Sequence, residues 1–96
     1  MKKIKLPKPS SYPKRIYFAD ECYSIKFKKK LDCYGKTCAT KKAIIIKQGM
    51  SHRETLATFI HELLHLIEFE APMKIKHKTV YKLEKAITEI LLDNFL

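Results

Sequence analysis

Ser51-His52-Arg53-Glu54 opens, and His61-Glu62-Leu63-Leu64-His65-Leu66-Ile67-Glu68-Phe69 closes, the stretch that decides how this chain folds. Between and within them Leu56, Phe59, Ile60, Leu63, Leu64, Leu66 and Ile67 recur at helical spacing, on an arc wider than the stripe of an ordinary surface helix. Ser51 and Glu54 have capping-box spacing: the Ser51 hydroxyl can accept the Glu54 N–H while Glu54 reaches back. Pro72 cannot continue a helix, since its ring clashes with the preceding turn and it has no N–H. A helix over residues 51–69 is therefore predicted. The polar arc left over holds Glu54, Thr58, His61, Glu62, His65 and Glu68.

Downstream, a second helix is expected from residue 77 or 78 to 94. Lys78, Lys82, Lys85, Glu89 and Asp93 gather on one side, and Val80, Leu83, Ile87, Ile90 and Leu91 mark the other. Upstream, the period changes from helical to alternating. Residues 1–13 hold every proline but Pro72 and read as an extended N-terminal tail, leaving 14–96 as one domain. Arg15-Ile16-Tyr17-Phe18 is a short strand, and Tyr23, Ile25 and Phe27 alternate with Ser24, Lys26 and Lys28 as in a half-buried strand. Asp32-Cys33-Tyr34-Gly35 reads as a turn. Beyond it, residues 36–40 and 43–47 are expected to pair as a hairpin around Lys41-Lys42. Ile44-Ile45-Ile46 is apolar on both faces, which predicts helices on one side of that strand and more protein on the other. The fold class is α+β: a small antiparallel β-sheet followed by two long helices.

Ninety-six residues allow one modest core. No apolar run approaches the ~20 residues that span a bilayer, and the basic start lacks an apolar stretch behind it, so a cytoplasmic protein without a membrane partner is expected. The formal charge of +10 is concentrated in residues 1–47. Such a half favours nucleic acid or acidic protein partners, although lysines spread over strands and tail also read as a solvated surface. Cys22, Cys33 and Cys38 are odd in number and are expected to be buried, inert thiols.

His61-Glu62-Leu63-Leu64-His65 is an H-E-x-x-H pattern lying inside the first helix. Residues four apart share a helical face, so both imidazoles can reach one zinc ion at ~2.0–2.1 Å. Glu62 lies about 100° round the helix and can flank that ion as general base to a water without ligating it. Zinc in a catalytic site usually takes a third protein ligand. Glu84 is the only acid in the apolar arc of the second helix, between Val80, Ile87 and Leu91. A buried, unpaired carboxylate costs several kcal/mol, and a metal ion is a partner that explains its place. Otherwise it snorkels or pairs with a lysine. Glu68 is a weaker third ligand. His77 is an alternative ligand, an oxyanion-stabilising donor, or a helix-start residue without chemistry. Tyr81 is either a donor to the oxyanion or a core tyrosine with a satisfied hydroxyl. His52 reads as surface.

Residues 43–94 resemble the gluzincin zinc peptidases, most closely the minigluzincins and similar short phage-type metallopeptidases. The resemblance rests on Ala43-Ile44-Ile45-Ile46, on the capped helix with His61-Glu62-Leu63-Leu64-His65-Leu66-Ile67-Glu68, and on Leu83-Glu84 of the next helix. It implies a zincin-like fold, one Zn2+ held by His61, His65 and Glu84, and hydrolysis of a peptide or protein substrate with Glu62 as base. It also implies that the isoleucine strand borders the cleft and aligns an extended peptide. Where larger gluzincins often carry an acidic group that orients a histidine, this chain has Thr88, so the histidines need another orienting partner. The metzincin glycine and third histidine are absent. The competing expectation is a non-catalytic, zinc-stabilised domain whose basic sheet half binds nucleic acid or an acidic protein.

Overall fold

A strand that is apolar on both faces is most stable with a neighbour on each side, and Ala43–Lys47 takes such an inner place. The computed structural model describes residues 12–71 and 73–94. Its elements run β1 (Arg15–Phe18), β2 (Glu21–Lys28), β3 (Gly35–Cys38), β4 (Ala43–Lys47), α1 (His52–Glu70) and α2 (His77–Asn94). The strand order is β1-β2-β4-β3. β3 and β4 form the expected antiparallel hairpin, with Thr37 opposite Ile44. β4 then inserts beside β2 and runs parallel to it, with Ile25 opposite Ile44 and Phe27 opposite Ile46. The sheet is therefore mixed, not antiparallel throughout. The physical reason lies in the edges. The short β1 and the polar Gly-Lys-Thr-Cys strand can leave an edge unpaired, whereas the isoleucine run at an edge would present unpaired N–H and C=O groups flanked by apolar side chains, a template for aggregation.

The two faces of the sheet follow from the register. Ile16, Phe18, Tyr23, Ile25, Phe27, Ile44 and Ile46 point towards the helices and form one part of the core with Leu63, Leu66 and Phe59. Leu56, Ile60 and Leu64, on another side of α1, form the second part with Val80, Ile87, Leu91 and Leu92 of α2. α1 is thus the middle layer of sheet, α1 and α2, which explains its wide apolar arc. Ile45 points to the outer face, where the layer of protein expected from its sequence is not present among the described residues. It is nonetheless only 8 % exposed, flanked in register by Lys26 and Lys36, whose aliphatic stems can cover it.

The predicted helices are observed within a residue or so at each end. The Ser51 hydroxyl accepts the Glu54 N–H at 3.1 Å and donates to Glu54 Oε1 at 2.8 Å, so Glu54 returns to the hydroxyl and not to the main chain. α2 is rotated slightly from the expected stripe: Val80, Thr88 and Leu92 are buried, while Leu83 and Ile90 face outward. The assigned tail ends inside the core. Tyr12 is buried and meets Phe27 and Phe59 edge-on at 5.6 and 5.1 Å, and burial pushes its hydroxyl pKa up to about 12. The rest of the tail, residues 1–11, and Pro72 lie outside the described residues. At the far end of α1, Glu70 accepts from the buried Tyr23 hydroxyl at 2.6 Å and from Lys42 Nζ at 3.1 Å, tying the helix to β2 and to the β3–β4 turn. The cysteines are free. Cys22 and Cys33 are exposed and Cys38 is half-buried, contrary to the expectation of buried thiols, because Cys22 and Cys38 fall on the outer face of edge positions and Cys33 falls in a loop. Among the described residues no helix is long and apolar enough to cross a membrane.

Candidate metal centre

Helical periodicity puts His61 and His65 on one face of α1, and the packing of α2 against that helix brings Glu84 to them. His61 Nε2 and His65 Nε2 stand 3.0 Å apart. His61 Nδ1 donates to Glu84 Oε1 at 2.7 Å, and His65 Nδ1 donates to Glu68 Oε1 at 2.9 Å. An ionised carboxylate only accepts, so each Nδ1 carries a proton, and the two Nε2 atoms are left facing each other. Two acceptors facing at 3.0 Å repel unless a proton or a cation lies between them.

Two nitrogens held at ~2.0–2.1 Å by one tetrahedral ion are about 3.3 Å apart, so the pair has to open by only a few tenths of an ångström to fit zinc. Among the described residues no group of three or more His, Cys, Asp and Glu side chains is arranged as a ready metal cage. The reason is visible in the hydrogen bonds: both nearby carboxylates are on Nδ1 atoms, away from the facing Nε2 pair. Glu68 is fixed there, because its Oε2 also accepts the Ile75 N–H at 3.2 Å. That N–H, and then His65, hold its carboxyl below the usual carboxylate range. Glu84 has no such second anchor among the described residues. The orienting partner that the sequence lacked at Thr88 is thus supplied by Glu68 and Glu84, while Thr88 Oγ1 donates to the Glu84 carbonyl oxygen at 2.6 Å.

Glu62 points to the sheet side of the same turn and is only 4 % exposed. Its Oε1 accepts from the Thr37 hydroxyl of β3 at 2.8 Å, and its carbonyl oxygen lies 3.1 Å from the same hydroxyl. This contact needs β3 close to α1, and Gly35 permits it: a Cβ there would lie 2.7 Å from Thr58 Cγ2 and 3.3 Å from Glu62 Cγ. Gly35 was expected to close a turn. It instead opens β3, and the bends fall on residues 32–34.

His61, Glu62 and Glu84 line one cleft of about 440 Å³, with Tyr34, Gly35, Thr58 and Tyr81 among its walls. The strand at this cleft is the edge strand β3 and not the isoleucine strand β4, which is internal. Tyr81 is exposed on the rim with its ring 5.3 Å from that of His61, so it is not a core tyrosine. His77, at the start of α2, has its ring 5.9 Å from that of His65. His52 is exposed, as expected. Sequence reading missed Thr37, Gly35 and Tyr34, and only the alternation of Gly35 and Thr37 along one strand face could have hinted at the first two. No family model, no curated protein and no solved structure matches the chain.

Proposed function

We infer that the chain is a zinc-dependent metallopeptidase of gluzincin type, holding one zinc ion through His61, His65 and Glu84 and hydrolysing peptide bonds with Glu62 as general base. The observation that carries this reading is the pair of Nε2 atoms facing each other at 3.0 Å beside a buried glutamate on the wall of a cleft. A histidine pair with its Nδ1 atoms on carboxylates is an arrangement that raises the basicity of Nε2 and fixes ring orientation. Glu84, which unlike Glu68 has no second anchor among the described residues, would complete the ligand set by giving up His61 Nδ1, leaving Glu68 on His65 Nδ1 as the orienting carboxylate that remains.

When bound, zinc supplies Lewis-acid polarisation of a carbonyl and a water acidic enough to lose its proton near neutral pH. The Thr37 hydroxyl holds Glu62 Oε1, leaving the other carboxylate oxygen to take the water proton and pass it to the leaving amine. Tyr81 on the cleft wall beside His61, and His77 beside His65, would be donors for a developing oxyanion. β3 offers an exposed strand edge along which an extended peptide can align. The three free thiols suit a cytoplasmic location.

The test combines metal and activity. Protein prepared without chelators should contain zinc by elemental analysis and should cleave a peptide library, with cleavage lost on chelation. Glu62→Gln should retain the zinc and lose at least ~10²-fold in rate, the low end for a positioned acid–base group. Absence of metal from the parent, or unchanged cleavage by Glu62→Gln, would overturn the assignment.

A further inference from the structure

We propose that the outer face of the sheet, turned away from the helices and from the candidate metal centre, binds the phosphate backbone of a single-stranded nucleic acid. The strand register puts Arg15, Lys26, Lys28, Lys36 and Lys47 on this face together with Ser24, Ala43 and Ile45, and puts no acidic residue there. None of the five cations is in an ion pair among the described residues; the ion pairs of Lys42, with Glu21 and Glu70, belong to the helix side. Neighbouring strands are ~4.8 Å apart and residues i and i+2 are ~6.7 Å apart, so these charges repel well inside the ~10 Å Debye length at 0.1 M salt. A fold that keeps such uncompensated repulsion on one face gains by meeting a polyanion. Lys29 and Lys30 extend the face at the end of β2, lining a depression of about 680 Å³ with Lys28, Lys36 and Lys47, and Asp32 at its margin is its one acid.

Three features favour a single strand over the other polyanions. Tyr17 stands on this face 72 % exposed, beside Arg15 of the same strand, and an exposed ring next to cations is a platform on which a base can stack. An acidic polypeptide has no use for such a ring. A duplex would need an element that enters a groove, whereas among the described residues this face is a short sheet with no helix or hairpin projecting from it. The spacing of Lys26 and Lys28 along β2 also matches alternate phosphates of a stacked strand, at ~3.4 Å per nucleotide.

The experiment measures binding of labelled oligo-dT to the full chain by fluorescence anisotropy as a function of salt. Five phosphate contacts predict a log–log slope of about −3.5, or roughly a hundredfold loss between about 50 and about 200 mM salt. The double variant Lys26→Gln/Lys36→Gln, which keeps aliphatic stems over Ile45, should flatten the slope to about −2. Lys78→Gln/Lys82→Gln, the same charge change on α2, should leave it unaltered, as should Glu62→Gln in the cleft. Tyr17→Ala should weaken binding roughly 5- to 100-fold and Tyr17→Phe should not. Melting curves of each variant confirm the fold, and Tyr17→Phe keeps the ring test valid if Tyr17→Ala unfolds. An equal loss in the α2 variant, a slope near zero, or tighter binding of duplex DNA or of polyglutamate of the same charge would overturn the proposal.

Discussion

Gly35→Ala is the substitution that most directly tests how β3 is brought to Glu62. The added methyl would sit 2.7 Å from Thr58 Cγ2, 3.2 Å from the Ile45 carbonyl oxygen and 3.3 Å from Glu62 Cγ. Two of these neighbours are main chain or near the base of a helical side chain and cannot swing away, so the strand itself must move. Overpacking of this kind costs ~1–3 kcal/mol, and a 2.7 Å contact belongs near the top of that range. The reduced freedom of the unfolded chain returns ~0.4–1 kcal/mol, leaving a net loss of about 2 kcal/mol. For a domain of this size that lowers the thermal midpoint by about 8–16 °C. Urea unfolding of four proteins isolates the cause: the parent, Gly35→Ala, Thr58→Ser and the double variant. Thr58→Ser removes the Cγ2 that the new methyl strikes, so the double variant should recover at least ~1 kcal/mol relative to additivity. Hydrolysis, where present, should fall with Gly35→Ala, because the Thr37–Glu62 bond lengthens as β3 retreats. Parent-like stability in Gly35→Ala, or strict additivity of the two substitutions, would refute the account of why glycine stands there.

Chelation should lower the melting temperature of the zinc-loaded protein by many degrees, since a metal shared by α1 and α2 is a large contribution in a domain stable by as little as ~5 kcal/mol; Glu84→Ala should lose most of the zinc-dependent shift, and an equal shift in both proteins would remove Glu84 from the ligand set. The Tyr23 hydroxyl and Lys42 hold the Glu70 carboxyl below its ordinary value of 4.5, so its contribution to stability is present above that pH and is lost as pH falls through the lower folded value. The stability difference between the parent and Glu70→Gln should accordingly shrink on acidification, as followed by urea midpoints across the acid range; a constant difference would show the charge to be irrelevant. Ala19 and Asp20, the two loop residues of the β1–β2 hairpin, have φ of 52° and 63°. A left-handed alanine is strained, so Ala19→Gly should raise stability by up to about 1 kcal/mol in the same assay, and a loss would contradict this reading of the turn.

What the sequence alone determined is what depends on neighbours a few residues away. The Ser51–Glu54 cap, the apolar arc of α1 and the start of α2 near His77 follow from local hydrogen bonding and helical period, and both helices appear where those features predict them. The pairing of His61 with His65 across one turn is equally local. The arrival of Glu84 was legible because a carboxylate in an apolar stripe needs a partner, and it finds His61 at 2.7 Å. Tertiary structure alone decided the rest. Whether β4 lies at the edge of the sheet or inside it is a choice between pairings of similar local appearance, settled by which strands can tolerate an unpaired edge. Thr37 carries no motif; it holds Glu62 only because β3 lands against α1, and Gly35 looks like a turn residue until the helix is beside it. The same holds for the division of labour among the acids. Glu68 and Glu84 are both near histidines in the folded chain, yet only the Ile75 N–H, delivered by the segment between the helices, ties down one of them. Contacts between distant segments leave no period in the sequence, because they depend on the relative placement of whole elements.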